Sequence, residues 1–303
     1  MSEAPAQRML LVHAHPDDES IGTGATMATY VDRGVGVTLV TCTSGEMGEI
    51  LVPEWEHMAA DRDDTLGEHR RGELEVAMKE LGVTDHRFLG GPGHFRDSGM
   101  KWHADGYAIA ADETSPNAFA NADLTVAADL LVAIIREVRP QVLVTYDQFG
   151  GYGHPDHIQA HRVATYAAQL AAVPSYRLDL GEPHDIAKVY WTAMSESRMR
   201  DSLRELRGKG DTETFKGMEP EGELGPFVTP DKLLSARVDG SSAVDRKMAA
   251  LAAHRSQIQQ DGFFFSGRES GHAFWGDEFF RIAKGATGPV GDDGLETDLF
   301  AGL

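Results

Sequence analysis

The chain has 303 residues, 41% of them hydrophobic and 25% charged, the composition of an ordinary globular protein built as one large α/β domain or two modest ones. Its 28 basic and 48 acidic residues leave a formal charge of −20, which argues against nucleic acid and anionic membrane as partners and permits a neutral or cationic small substrate. No run of ~18 apolar residues predicts a membrane-spanning helix, and the first eight residues show no leader pattern, so a cytoplasmic location is the expectation.

In chain order, the apolar run 9–13 reads as a buried strand. The stretch His13-Ala14-His15-Pro16-Asp17-Asp18-Glu19 then sets two imidazoles and three carboxylates at the turn into a helix over 23–33. Of these, His13 belongs to the strand as a packed residue and Glu19 to the helix start. Residues 35–43 predict a second strand. It carries the sole cysteine, Cys42, which excludes an internal disulfide and a cysteine-rich zinc site and reads as a buried, inert thiol. A helix over 58–81, a strand over 87–89 and a helix over 124–138 follow, the last stopped by Pro140. Between them, loops 90–101 and 102–121 are long for an α/β unit and are expected to line the site.

The nearly all-apolar stretch 141–146 suits a central parallel strand. After it, a glycine-rich turn opens a helix through about residue 172, with Pro155 in its first turn. Beyond lie a strand over 187–194, a polar helix over 197–207, an exposed insert over 208–230, a strand over 233–238 and an amphipathic helix over 242–257. The Gly- and Asp-rich tail from 285 is expected to wrap the surface. This alternation predicts a Rossmann-like, mostly parallel sheet flanked by helices over 1–175, carrying the site. A smaller C-terminal α+β extension over 176–303 would complete the sheet and cover the site.

Carboxylates and imidazoles crowded at a strand end are costly to bury unless they are paired or bind a metal. Open α/β sheets build their sites at such ends. Two His-Pro-Asp clusters, one at His15 and one at His154, each follow an apolar strand. His15 and Asp18 flank a tight turn and can point at one centre. His154 and His157 share a helix face at i, i+3, which His161 continues, and supply candidates for the third ligand. Such nitrogen and oxygen donors suit Zn²⁺ or Fe²⁺, and three protein ligands plus water is the catalytic arrangement.

Together, His15-Pro16-Asp17-Asp18-Glu19 and Gly153-His154-Pro155-Asp156-His157 resemble the LmbE/PIG-L superfamily of metal-dependent N-deacetylases. Supporting stretches are Thr41 to Glu46, Arg96 to Met100, Gly150 to His154 and Glu296 to Gly302; the likeness thins over 208–230 and around 263–275. Within the superfamily the chain is most similar to the deacetylases of mycothiol biosynthesis, which act on N-acetylglucosaminyl-inositol. The resemblance implies His15, Asp18 and His157 as metal ligands, Asp17 as general base, Tyr152 as oxyanion donor and His154 as a charged or proton-donating group. These roles fit amide hydrolysis, which needs an activated water and a clamp for the developing oxyanion. Asp156, beside His154, would orient that imidazole.

For the sugar, the resemblance implies Arg70 and Asp97, with Glu46 at the rim and Met100 against the sugar face. Arg70 could instead sit on a solvated helix face with Glu73 as its i, i+3 partner, Asp97 could be a turn residue, and Met100 could pack its loop. Related enzymes that cleave mycothiol S-conjugates carry a lysine soon after the acidic motif and a proline before the second His-Pro-Asp. This chain has Ile21-Gly22-Thr23 and Gly153 there, which favours the deacetylase. Gly22-Thr23-Gly24 mimics part of a dinucleotide fingerprint, but the neighbouring carboxylates would repel a pyrophosphate. Ser44-Gly45-Glu46 lacks a nucleophile elbow. The intact Asp17 speaks against a catalytically silent sugar-binding protein.

Overall fold

The computed structural model describes residues 6–260, 262, 264, 265 and 275–303. Strand β1 (Arg8–His13) lies at the centre, parallel to β2 (Gly36–Thr41) on one side and to β6 (Val142–Thr145) on the other. Strand β3 (Asp85–Phe88) continues the parallel sheet beyond β2, and β7 (Lys188–Ser195) continues it beyond β6. Two antiparallel strands, β10 (Asp277–Lys284) and β9 (Ala236–Asp239), complete the order β3-β2-β1-β6-β7-β10-β9. The two-residue β8 (Val228–Thr229) pairs with the end of β7. The connection order reverses between β1 and β6, so the carboxyl ends of those strands form the crevice where open α/β sheets take ligands. No helix among the described residues is long and apolar enough to cross a membrane.

Both faces of β1 are buried, which explains its unbroken apolar run. Met9 and Leu11 pack with Met27 and Tyr30 of α1 (Asp18–Asp32), Leu74 and Met78 of α2 (Leu66–Leu81) and Ala250 of α6 (Val244–Ala253). Leu10 and Val12, one residue out of phase, pack with Leu131 and Ile135 of α3 (Leu124–Val138) and Val163 and Ala167 of α4 (Pro155–Ala171). Helix α3 opens on Asp123, whose carboxylate accepts the Thr125 and Val126 N–H groups at 2.8 and 3.0 Å. It ends on Arg139, with φ 54°, before Pro140.

Several elements differ from the sequence expectation. The helix expected over 58–81 begins at Leu66, because Pro53–Met58 forms a 3₁₀ turn and the Asp-rich residues 59–65 after it, with Asp64 at φ 54°, break the period. Loops 90–101 and 102–121 contain a hairpin of β4 (Met100–Trp102) and β5 (Ala108–Ala110). The strand expected over 233–238 is β9, and the helix expected over 242–257 stops at Ala253. Strand β10 carried no clear signal, since Glu278 is buried like Phe280 and the apolar alternation is lost. The segment 263–275, where the family likeness thins, lies mostly outside the described residues.

The tail is a correction of another kind. It does not merely wrap the surface: Glu296 and Leu299 are wholly buried, and Leu299 and Phe300 join the core beside Tyr30. The Glu296 carboxylate meets Lys188 Nζ at 2.5 Å, accepts the Gly288 N–H at 2.7 Å and takes the Tyr190 hydroxyl. Lys188 Nζ also donates to the Ala301 carbonyl at 2.7 Å. Removing one member of such a buried pair strands the other charge. Glu296→Ala is therefore expected to lower unfolding free energy by about 3–5 kcal/mol, measured by urea denaturation at constant metal content.

Candidate metal centre and its cavity

Strand β1 delivers His15 and Asp18 just beyond its carboxyl end, and the turn after β6 delivers Tyr152, His154 and His157. Asp18 Oδ2 lies 3.3 Å from both His15 Nδ1 and His157 Nε2. His157 Nδ1 donates to the Gly150 carbonyl at 3.1 Å, and its ring stacks on Tyr146 with centroids 4.3 Å apart. That bond assigns the proton to Nδ1 and turns the Nε2 lone pair inward, where the buried Nε2 has no hydrogen-bond partner in the structure. An orphaned imidazole nitrogen facing a carboxylate and a second imidazole is what a metal ligand looks like before the metal binds.

The charge balance points the same way. Asp156, wholly buried, holds His15 Nε2 at 3.2 Å and takes the Ser98 N–H at 2.9 Å along with the Ser98 hydroxyl. Asp97 Oδ1 is 3.6 Å from the same His15 nitrogen. Burial opposes a charge on His15, but Asp97, Asp156 and Asp18 outweigh it and raise its pKa well above the ordinary value. Burial likewise opposes the Asp18 carboxylate, and His157 with His15 outweighs it downward. The pocket thus favours a positive charge, which a bound cation would supply. Two overlapping groups bring ligand atoms within 4.8 Å of one another: His15, His154 and His157, and His15, Asp97, His154 and Asp156.

Asp17 stands apart from both groups. Its backbone has φ 111°, a conformation that costs a non-glycine residue about 1–3 kcal/mol and persists only where surroundings impose it. Burial pushes its carboxyl up to about 6, against the pull of Arg70, whose Nη2 is 3.4 Å away. Arg70 is almost fully buried, not on a solvated face, and Glu73 instead holds Ser256. The guanidinium donates to the Gly45 carbonyl at 2.8 Å and to the Pro16 carbonyl. Gly45, with φ 69°, has to be glycine, since a Cβ there would meet Arg70 Nη1 at 2.0 Å.

Other expectations shift in detail. Asp156 orients His15 rather than His154. Its backbone N–H, not its carboxylate, meets His154 Nδ1 at 3.1 Å, making that imidazole the cap of α4. Burial, followed by repulsion from His15 and His157, pulls the His154 ring down to about 2, so the neutral form is favoured over the charged one. Glu46 is not a cavity-rim residue: its carboxylate takes the Asp97 N–H at 2.9 Å and shapes the loop. Asp97 in turn accepts the Met47 and Gly99 N–H groups at 3.2 and 2.8 Å. His161 turns to the Tyr146 carbonyl at 3.0 Å, away from the cluster. His13 bonds Thr23 Oγ1 at 2.9 Å and the Tyr146 hydroxyl at 3.2 Å. Cys42 is free and buried, and burial raises its pKa.

The cluster forms the floor of a cavity of about 870 Å³. Asp17, Arg70, Asp97, Met100 and Tyr152 line it, and later parts of the chain contribute Ser195, Arg198, Phe227 and Asp277. Burial raises the Tyr152 phenol, which keeps its proton available for donation; the ring packs edge-on against His157 at 5.0 Å. Sequence reasoning missed Tyr146, whose hydroxyl accepts the Ala14 N–H at 2.9 Å and whose ring supports His157. An aromatic at the very end of an apolar strand, beside a metal motif, was the available signal.

Comparison with known proteins agrees with this geometry. The family described as GlcNAc-PI de-N-acetylase (PIG-L) matches residues 10–168. A 1D-myo-inositol 2-acetamido-2-deoxy-alpha-D-glucopyranoside deacetylase of a Nocardioides species is 70% identical over 298 residues, covering 98% of this chain and 99% of that protein. The enzyme of the same name from Kribbella flavida is 61% identical over the whole of both chains. Among solved structures, the N,N'-diacetylchitobiose deacetylase of Pyrococcus horikoshii shares the fold, with TM-score 0.59 and 20% identity over 91% of this chain and 83% of that one.

Two substitutions test the centre. His157→Ala is expected to abolish tight binding of added Zn²⁺, whereas Asp156→Ala, which only unseats His15, weakens it by roughly 10–100-fold. Competition against a chromophoric chelator reads both, and equal affinities in the three proteins would exclude this cluster as the metal site.

Proposed function

Because the chain belongs to the GlcNAc-PI de-N-acetylase (PIG-L) family and is a hydrolase of an N-acetyl amide, we propose that it deacetylates 1-O-(2-acetamido-2-deoxy-α-D-glucopyranosyl)-D-myo-inositol in mycothiol biosynthesis, releasing acetate and the free amine. The observation that carries the chemistry is Asp17, a carboxylate next in sequence to Asp18 yet turned by its backbone away from the imidazole cluster and onto the cavity wall. His15, Asp18 and His157 hold the metal in this reading; zinc fits the nitrogen and oxygen donors, and ferrous iron accepts the same set. When bound, the metal supplies an acidified water and a positive charge for the amide oxygen.

The protein's own groups do the rest. Asp17, whose buried carboxyl titrates near 6, takes the proton of the attacking water. The Tyr152 phenol donates to the oxygen as it gains charge. The departing amine needs a proton, which Asp17 holds once it has taken it from the water, whereas His154, neutral in these surroundings, would first have to gain one. Arg70 has both Nη atoms committed to backbone carbonyls, so it serves Asp17 before any sugar hydroxyl. Asp97 and Met100 bound the sugar side, and the −20 charge of the chain suits a neutral substrate leaving as an amine.

Acetate release from the acetylated pseudodisaccharide tests the substrate, with a mycothiol S-conjugate as competitor: strong preference for the conjugate sinks the assignment. Asp17→Asn is expected to lower kcat by roughly 10²–10⁴ with metal content unchanged. Tyr152→Phe is expected to lower it by roughly 10²–10³. Undiminished acetate release by Asp17→Asn removes Asp17 as the base.

A further inference from the structure

We propose that Glu19 and His254 form a buried positioning pair whose task is to hold the backbone of Asp17, so that its carboxylate faces the cavity. This rests on the reading of Asp17 as the base. The peptide between Pro16 and Asp17 is gripped at both of its polar atoms: Arg70 donates to the Pro16 carbonyl, and the Asp17 N–H donates to Glu19 Oε2 at 2.9 Å. On the other side, the Asp17 carbonyl accepts the Ser20 and Ile21 N–H groups at 3.0 Å each as α1 begins. With the plane before and the plane after both pinned, φ 111° at Asp17 is imposed rather than chosen.

Of these grips, the one on the N–H depends on the placement of a single carboxylate. Glu19 is wholly buried, and its Oε1 takes the Ser20 hydroxyl at 2.5 Å and His254 Nε2 at 2.8 Å. A buried carboxylate does not stay put without a donor or cation to meet it. His254 supplies that group from the C-cap of α6, also wholly buried, with its own Nδ1 lacking a hydrogen-bond partner in the structure. The imidazole comes from outside the matched span 10–168, so the later part of the chain reaches back to set the geometry of the first motif. The i, i+2 link from Glu19 to the Asp17 amide also gives this glutamate a task beyond starting a helix.

A packing role for His254 and a positioning role make different predictions. In the metal-loaded enzyme, His254→Leu is expected to lower kcat about 10–100-fold, with KM and Zn²⁺ affinity within about twofold of the parent. His254→Gln, which keeps an N–H donor, is expected to recover most of the loss. In an Asp17→Asn background the same His254→Leu change costs less than about twofold, since it acts through a group already disabled. Equal losses in both backgrounds overturn the proposal. Where His254→Leu does not yield folded protein, Glu19→Ala carries the same cycle. Independently of activity, the Asp17 amide in ¹⁵N-aspartate-labelled, metal-free protein is expected to exchange at least tenfold faster in His254→Leu than in the parent. Unchanged exchange refutes the positioning role, whereas full turnover by Asp17→Asn alone refutes the base assignment.

Discussion

The crevice where β1 and β6 end holds five carboxylates, those of Asp17, Asp18, Glu19, Asp97 and Asp156, with little contact with water. Acidic groups cannot be taken out of solvent at this density unless each is met by a donor or a cation. Most of the local structure is the answer to that demand. Arg70 enters from α2 for Asp17, His254 from α6 for Glu19, Ser98 from the long loop for Asp156, and the Met47 and Gly99 amides for Asp97. Asp18 is met by His15 and His157, whose nitrogens converge on one oxygen at 3.3 Å. There a carboxylate lies between two imidazoles and the His157 Nε2 lone pair has no hydrogen-bond partner in the structure, which is the place proposed above for a cation.

How much of this the sequence disclosed follows from how local each feature is. The parallel sheet was legible because β1 and β6 are buried on both faces and read as continuous apolar runs. The convergence of His15, Asp18 and His157 was legible because they lie at fixed offsets from strand ends and from a proline that opens α4. The less readable parts are those decided by partners distant in sequence. Asp156 sits two residues from His154, yet its carboxylate crosses to His15, 141 positions away. Glu46 follows a strand and looked like a rim residue, but Asp97 claims it from across the loop. Glu278 and Glu296 are buried because Lys247 and Lys188 meet them at 2.7 and 2.5 Å. A one-dimensional pattern carries no sign that a charge has a buried partner, which is why β10 and the tail were the elements missed.

The reacting groups all fall within residues 10–168, but they do not make a site by themselves. Strand β7 continues the parallel sheet from β6 without a break, and its last residues, Thr192 to Ser195, form part of the cavity wall. Strand β10 pairs with β7 and adds Asp277 and Glu278 to the same wall. Glu278 also accepts the Ala25 and Thr26 N–H groups inside α1, at 3.0 and 2.7 Å, so the helix that begins at Asp18 is also held from the antiparallel side of the sheet.

The cavity joins two sets of residues, those inside the matched span and those beyond it. The amide chemistry needs few groups held within fractions of an ångström, and these are tied by short-range turns and by charge pairing that tolerates little change. Phe227, Thr229, Arg198 and Asp277 line the same cavity from elements outside the matched span. Identity of 70% over nearly the full length, walls included, is accordingly the stronger ground for a common substrate than the motifs are.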